Sequence, residues 1–151
     1  MRVLDALEEA GVDYAVVGGV AVNLHGLARG TRDIDVFLAP TAENIDRLKT
    51  ALRSVYDDAS IDEIQASDLL GDYPAVSYVP PNGPPMDLLT RLGEAFRYAD
   101  IEAERYDVDG HPVRVATPRT LYRMKRDTVR PLDHADAAWL AKTFSLDTEE
   151  R

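Results

Sequence analysis

The stretch that most constrains this chain is residues 18–37, GGVAVNLHGLARGTRDIDVF. Two glycines end an apolar run, Tyr14-Ala15-Val16-Val17, and a short helical segment follows. Glycine has no Cβ, so the Gly18-Gly19 turn lets backbone come close to a phosphate. A basic loop over 26–32 then leads into Asp33-Ile34-Asp35, which opens a second apolar run, Val36-Phe37-Leu38. Side chains alternate faces along a strand, so Asp33 and Asp35 project from one side, about 6–7 Å apart. Two carboxylates on a stiff apolar strand form a mount for a hard divalent cation. Mg²⁺ takes one or two carboxylates together with substrate phosphate oxygens. Taken alone, the pair also suits a turn cap on a solvated strand end.

The rest of the chain supplies strands and helices around this stretch. Val3, Leu4, Leu7 and Ala10 fall at helical spacing before Gly11, which predicts a helix over 2–10. Strands are predicted over 13–17 and 33–39, with a helix over 19–25 between them. Ile45, Leu48, Leu52 and Val55 repeat every three to four residues, which predicts a helix over 42–56 with Thr41 as its N-cap. Residues 57–72 are acidic and weakly periodic, with a short helix ending near Gly71. Strands over 75–79 and 86–90 flank the proline-rich hairpin loop 80–85. Residues 94–100 read as helical. Asp109-Gly110 is a two-residue hairpin turn between strands over 103–108 and 111–116. Thr117-Pro118 is a helix start, a cap followed by proline at the first helical position. Pro131 ends that helix, and Asp133 caps a last one bearing Trp139, Leu140 and Phe144. No repeat or linker divides the chain, which reads as one domain over 1–146 with a polar, frayed tail over 147–151.

Charge and composition exclude several classes. The 151 residues carry a net charge of −10, which argues against broad non-specific binding to nucleic acid or an anionic membrane, though not against a small basic pocket. There is no cysteine, so disulfides and thiolate metal sites are ruled out. Asp5, Glu8 and Glu9 make residues 1–10 unlike a signal peptide. The longest apolar run, 14–22, is well short of the roughly 20 residues of a membrane span. The chain reads as soluble and cytoplasmic.

Asp87 is a third carboxylate, set in an apolar strand where an unpaired charge is costly. If its strand neighbours that of Asp33 and Asp35, three carboxylates converge and a cation must relieve their repulsion. Two Mg²⁺ ions about 3.5–4 Å apart serve phosphoryl and nucleotidyl transfer in this way. Lys125 falls on the packing face of its helix, where it either snorkels or neutralises triphosphate charge. Asp136 reads either as a capping partner of Asp133 or as an ion-pair partner of Lys125 or Arg130. Arg29 and Arg32 meet either phosphate or solvent. His25 reads as a structural histidine, since no second His or Cys stands at ligand spacing. His111 and His134 read as surface residues, and the tyrosines as core or rim.

Gly18-Gly19, a spacer, Asp33-Ile34-Asp35 and a later Asp87 on a strand resemble the DNA polymerase β-type nucleotidyltransferase superfamily. Its pattern is a glycine turn, an acid–apolar–acid pair and a third acid downstream. Within it, His25-Gly26, Arg29, Thr31 and Asp33-Ile34-Asp35 resemble the AbiEii-like branch of abortive-infection and type IV toxin–antitoxin proteins. So do Met124-Lys125, Arg130-Pro131-Leu132-Asp133 and Asp136, although Leu132 stands where that branch usually has lysine. The likeness covers about 13–140. It implies an α/β (α+β) nucleotidyltransferase fold, with a short mixed sheet, helices packed on one face and two C-terminal helices closing a nucleotide cleft. It implies Mg²⁺-dependent transfer of a nucleoside monophosphate from an NTP to an acceptor hydroxyl on RNA, protein or a small molecule. Asp33, Asp35 and Asp87 would hold two magnesium ions. Gly18, Gly19, Arg32, Lys125, Arg130 and Asp136 would bind the nucleotide, with Lys125 stabilising the leaving pyrophosphate. A cognate toxin or antitoxin partner is also implied. Drug-modifying transfer, as by aminoglycoside or lincosamide nucleotidyltransferases, and a non-catalytic partner module are the alternatives.

Overall fold

The computed structural model describes residues 2–28 and 30–147. Among the described residues, eight strands and six α-helices make a mixed α/β arrangement. The helices are α1 (Arg2–Glu9), α2 (Gly18–Leu24), α3 (Ala42–Val55), α4 (Ala66–Leu69), α5 (Pro118–Arg126) and α6 (Pro131–Thr143). The strands are β1 (Tyr14–Val17), β2 (Ile34–Leu38), β3 (Ala75–Tyr78), β4 (Met86–Leu89), β5 (Arg91–Leu92), β6 (Phe96–Arg97), β7 (Ala103–Val108) and β8 (His111–Ala116). Six of the strands form one sheet in the order β3-β4-β2-β1-β8-β7. Its centre mixes directions: β1 runs antiparallel to β2 and parallel to β8, and β2 runs parallel to β4. Parallel neighbours need long crossovers, and α3 with the acidic stretch after it supplies the one from β2 towards β4.

β1 is buried at every residue, as its unbroken apolar run foretold. α2 packs on β1, β2 and α5; α1 packs on α3 and β8; α5 packs on α6. Thr41 caps α3 as expected, its side chain accepting from the Asn44 N–H at 3.1 Å. Asn44, itself buried, accepts from the Asp13 N–H at 2.7 Å and donates to the carbonyls of Asp13 and Ala39. That one side chain ties the start of β1 to the end of β2. Thr117 caps α5 with Pro118 in the first turn, again as expected. The Asp109-Gly110 turn has positive φ at both residues, +52° and +84°, as a two-residue hairpin turn demands.

Several boundaries and elements differ from the sequence reading. β2 begins at Ile34, so Asp33 lies in the connection before it. The short helix expected to end near Gly71 is present as the one-turn α4, and an additional 3-10 turn, Ala59–Glu63, precedes it. Residues 94–100 are not a helix. Gly93, at φ +57°, turns the chain into the β5–β6 hairpin, and Asp100 then accepts from the Arg97 N–H at 2.9 Å to close a 3-10 turn. Seven mostly exposed residues gain too little packing to repay helix nucleation, and local capping wins. Pro131 begins α6 instead of merely ending α5, and Asp133 sits inside its first turn. Arg29 and residues 148–151 of the tail expected over 147–151 lie outside the described residues.

Candidate active site

The centre of the site is set by strand register. Asp35 of β2 and Asp87 of β4 are direct partners across a parallel pair, so their side chains leave the same face side by side. A protonated Asp35 can donate a hydrogen bond to the Asp87 carboxylate. Burial, the Asp87 charge and that bond, with a further push from Asp33, raise the Asp35 carboxyl to about 7, against a smaller opposing pull from Lys125. Asp35 is thereby disposed to keep its proton up to near-neutral pH. Ser77 of β3, the register partner of Asp87, donates its hydroxyl to Asp87 Oδ1 at 2.7 Å.

Gly18 explains how Asp35 fits. Its φ is +70°, and a Cβ built there would lie 2.0 Å from Asp35 Oδ2. The space that a side chain at residue 18 would take is filled by the Asp35 carboxylate. The missing Cβ makes room for an acid as well as for any phosphate.

These groups line a cleft of about 910 Å³. Gly18, Gly19, Arg32, Asp33, Asp35 and Asp87 lie on its floor and rim, and Lys125, Thr128, Arg130 and Asp133 come from the α5–α6 corner. Asp33 and Arg32 are exposed, as is Arg130. The three acids do not close into a ring. Asp35 and Asp87 meet while Asp33 stands at the rim, and among the described residues no group of three or more Asp, Glu or His side chains is disposed to hold an ion. The expected convergence of three carboxylates is thus realised as a contacting pair plus a neighbour acting through its charge. The pair alone fits a hard cation. Two carboxylates forced into contact carry more negative charge than the site neutralises, and Mg²⁺ is held by one or two carboxylates with phosphate oxygens completing its shell.

Lys125 is 6% exposed and clamped by two acids, 2.9 Å from Asp136 Oδ2 and 3.3 Å from Asp133 Oδ1. Asp136 is 1% exposed and is not among the residues lining the cleft; it lies behind Lys125. Pairing with Lys125, one of its two expected roles, is what the structure shows. Asp133, read from sequence only as a cap, faces the cleft. Burial works against its ionisation, but the Thr128 hydroxyl, 3.0 Å from its Oδ2, and the charge of Lys125 hold its carboxyl below the usual range. The sequence reading also passed over Ser77 and Thr128. Ser77 had a readable signal, since residues equidistant from Asn82 face each other across the hairpin and place it opposite Asp87. His25 is structural, as expected: its Nε2 donates to the Ala116 carbonyl at 2.8 Å, and its ring meets Tyr106 and Phe144 edge-on.

Solved structures share this fold. The lincosamide antibiotic adenylyltransferase LnuA, determined with lincomycin bound, superposes with a TM-score of 0.59 at 15% identity, over 91% of this chain and 91% of that one. The antibiotic-resistance factor ANT(2″)-Ia gives 0.55 at 16% identity, over 95% and 80%. An antigenic nucleotidyltransferase-like protein from Paracoccidioides brasiliensis gives 0.57 at 18% identity, over 94% and 73%. Comparison of the sequence with curated proteins finds no match. The fold that these solved structures share with this chain is that of nucleotidyltransferases. The chain belongs to the family described as "Nucleotidyl transferase AbiEii toxin, Type IV TA system", whose pattern matches residues 2–150. No helix among the described residues is long and apolar enough to cross a membrane.

Proposed function

We propose that the protein is a magnesium-dependent enzyme that moves a nucleoside monophosphate from an NTP to an acceptor hydroxyl, acting in the cytoplasm as part of a toxin–antitoxin system. The observation that carries this reading is the Asp35–Asp87 pair, two carboxyl groups held in contact on adjacent strands at the floor of the cleft. Asp35 and Asp87, with Asp33 at the rim, would hold magnesium, two ions being the usual number for this chemistry. Held by these residues, magnesium would supply charge neutralisation at the nucleotide phosphates and a lowered pKa for the acceptor hydroxyl.

The chain's own residues supply the rest. Gly18 and Gly19 present backbone to the phosphates, and Arg32 and Arg130 meet them at the rim. Lys125 stabilises the negative charge that grows on the leaving pyrophosphate. Asp136 and Asp133 fix the Lys125 ammonium in place, so the lysine spends little entropy when the nucleotide arrives. Asp87 orients the acceptor oxygen for attack on the α-phosphorus.

Label transfer from each α-labelled NTP to a panel of acceptors tests the reading, wild type against Asp35→Ala. Labelling that is lost by 100-fold or more in the variant supports it, and equal labelling ends it. A small-molecule acceptor is the second reading. It is favoured by the fold shared with two antibiotic-modifying enzymes and by the negative net charge, which suits a cationic drug. Raised drug tolerance on expression, in place of growth arrest, would select it.

A further inference from the structure

The two edges of the main sheet are built differently. β7, at one end, carries Glu104, Arg105 and Asp107, all exposed. Charges of that kind blunt an edge against further strand pairing. β3, at the other end, is Ala75-Val76-Ser77-Tyr78, with no charge, no lysine and no proline inside it. It pairs with β4 on one side only. The Thr90 N–H donates to the Pro74 carbonyl at 2.8 Å, which makes Pro74 and Thr90 a hydrogen-bonded pair. Antiparallel ladders alternate, so Val76 and Tyr78 bond to β4, while the N–H and C=O groups of Ala75 and Ser77 point away from the sheet. Both residues are exposed. Large apolar side chains border the edge at each end, Tyr73 at 64% and Val79 at 69% exposure.

The segment that carries this edge is acidic, and the exposed Arg91 directly follows it. Residues 54–90 hold seven acids and no lysine, arginine or histidine. Arg53, just outside, pairs with Asp62. Asp72, exposed, lies three residues before β3. A second copy of this chain would bring the same acids against one another. A basic chain would not.

We propose that the β3 edge takes a basic, extended polypeptide segment as a seventh strand, and that this segment carries the acceptor hydroxyl; the acceptor clause rests on the nucleotidyl-transfer reading above. Strand addition uses main-chain hydrogen bonds for affinity and side-chain pockets for choice of partner. The outward groups of Ala75 and Ser77 supply the first. The apolar wall of Val76, Leu89 and Leu92 along the cleft supplies the second. Cross-strand partners share a face, so the residue opposite Ser77 points the way that Ser77 and Asp87 do. Strands lie about 4.8 Å apart, which sets that residue roughly 10 Å from the Asp87 backbone, two strands away. Serine and threonine fall short across that gap, and tyrosine reaches. Its phenol oxygen would bond to the α-phosphorus of the NTP as the α–β bridging bond breaks. Pyrophosphate would leave with that electron pair, and the phenolic proton would pass to solvent.

The test uses the full chain and a labelled octapeptide alternating lysine and valine around one tyrosine, with a glutamate-for-lysine counterpart. Anisotropy is expected to show the lysine peptide binding at least tenfold more tightly at low salt. Amide exchange at Ala75 and Ser77 is expected to slow in its presence. Ala75→Pro removes an outward N–H and no ladder bond, so it is expected to melt near wild type and to lose peptide binding. Asp72→Lys is expected to weaken the lysine peptide several-fold and to strengthen the glutamate one. Binding unchanged in Ala75→Pro, or no preference for the basic peptide, overturns the inference. So does label transfer to an aminoglycoside or to RNA with none to the peptide. Calorimetry with NTP keeps the two readings apart: NTP binding without peptide binding overturns this inference alone. Peptide binding without NTP binding upholds the docking edge and overturns the transfer reading.

Discussion

Replacing Gly18 with alanine is the sharpest probe of how this site is assembled. Two separate penalties act at that residue. The φ of +70° is left-handed, which costs a residue with a Cβ about 1 kcal/mol. The new methyl would also sit 2.0 Å from Asp35 Oδ2 and 2.9 Å from its Cγ, so the carboxylate must swing aside. Forcing it off its rotamer and out of its bond to Asp87 adds about 1–2 kcal/mol. The sum, about 2–3 kcal/mol, lowers the melting temperature of a domain of this size by roughly 4–12 °C. Asp35→Ala removes both carboxylate contacts and leaves only Asp35 Cβ at 3.1 Å. In that background Gly18→Ala is expected to cost only the φ penalty and a small adjustment, about 1 kcal/mol. A double-mutant cycle by urea or thermal melts, followed by circular dichroism, should therefore give a coupling of about 1–2 kcal/mol. Distant, independent sites add to within about 0.5 kcal/mol. A coupling inside that margin would refute the claim that Gly18 is glycine in order to seat Asp35.

Two other outcomes follow from the same groups. The folded-state pKa of Asp35, about 7, lies above the carboxylate's ordinary value of 3.8, so the folded protein binds this proton more tightly than the unfolded chain. The associated stability is full below about pH 4 and is lost as pH rises through 7. Without divalent cation, stability measured by urea melts should fall by up to about 3 kcal/mol between pH 5 and 8, and Asp35→Asn should abolish that slope. Magnesium should flatten it in the wild type, and an unchanged slope in Asp35→Asn would count against the assignment. Lys125→Ala strands Asp133 and Asp136 without the ammonium they share, and is expected to cost about 3 kcal/mol, read as a drop in melting temperature. A loss under about 1 kcal/mol would mean that the lysine is not the pair's main counter-charge.

What the sequence disclosed was local chemistry. Thr41, Thr117-Pro118 and Asp109-Gly110 each act within a few residues of themselves, and each does what its side chain and backbone preference dictate. The apolar periods of α1 and α3 are likewise self-contained. The reading went astray where the outcome depends on a partner brought from elsewhere. Residues 94–100 are few and mostly exposed, so capping and a glycine turn outweigh weak helical propensity. Asp133 looked like a cap because Asp before a helix usually is one. It turns inward because α5 packs on α6 and delivers Lys125 to it.

The candidate site shows the same division. Asp35 and Asp87 could each be picked out as an acid in an apolar strand, and that much is local. Their contact is not. It follows from β2 and β4 being parallel neighbours in direct register, although some fifty residues and β3 separate them along the chain. Two acids would not be held so close by the rest of the fold unless something else lowered their joint cost, since burying like charges together opposes folding. In the protein alone a retained proton does so, and Lys125 offsets a little more. On the proposed reading, Asp35 and Asp87 would hold magnesium, which would supply the charge compensation that the proton otherwise gives. The site is therefore poised rather than settled, with the carboxyl pair least stable at the neutral pH where a metal would bind it best.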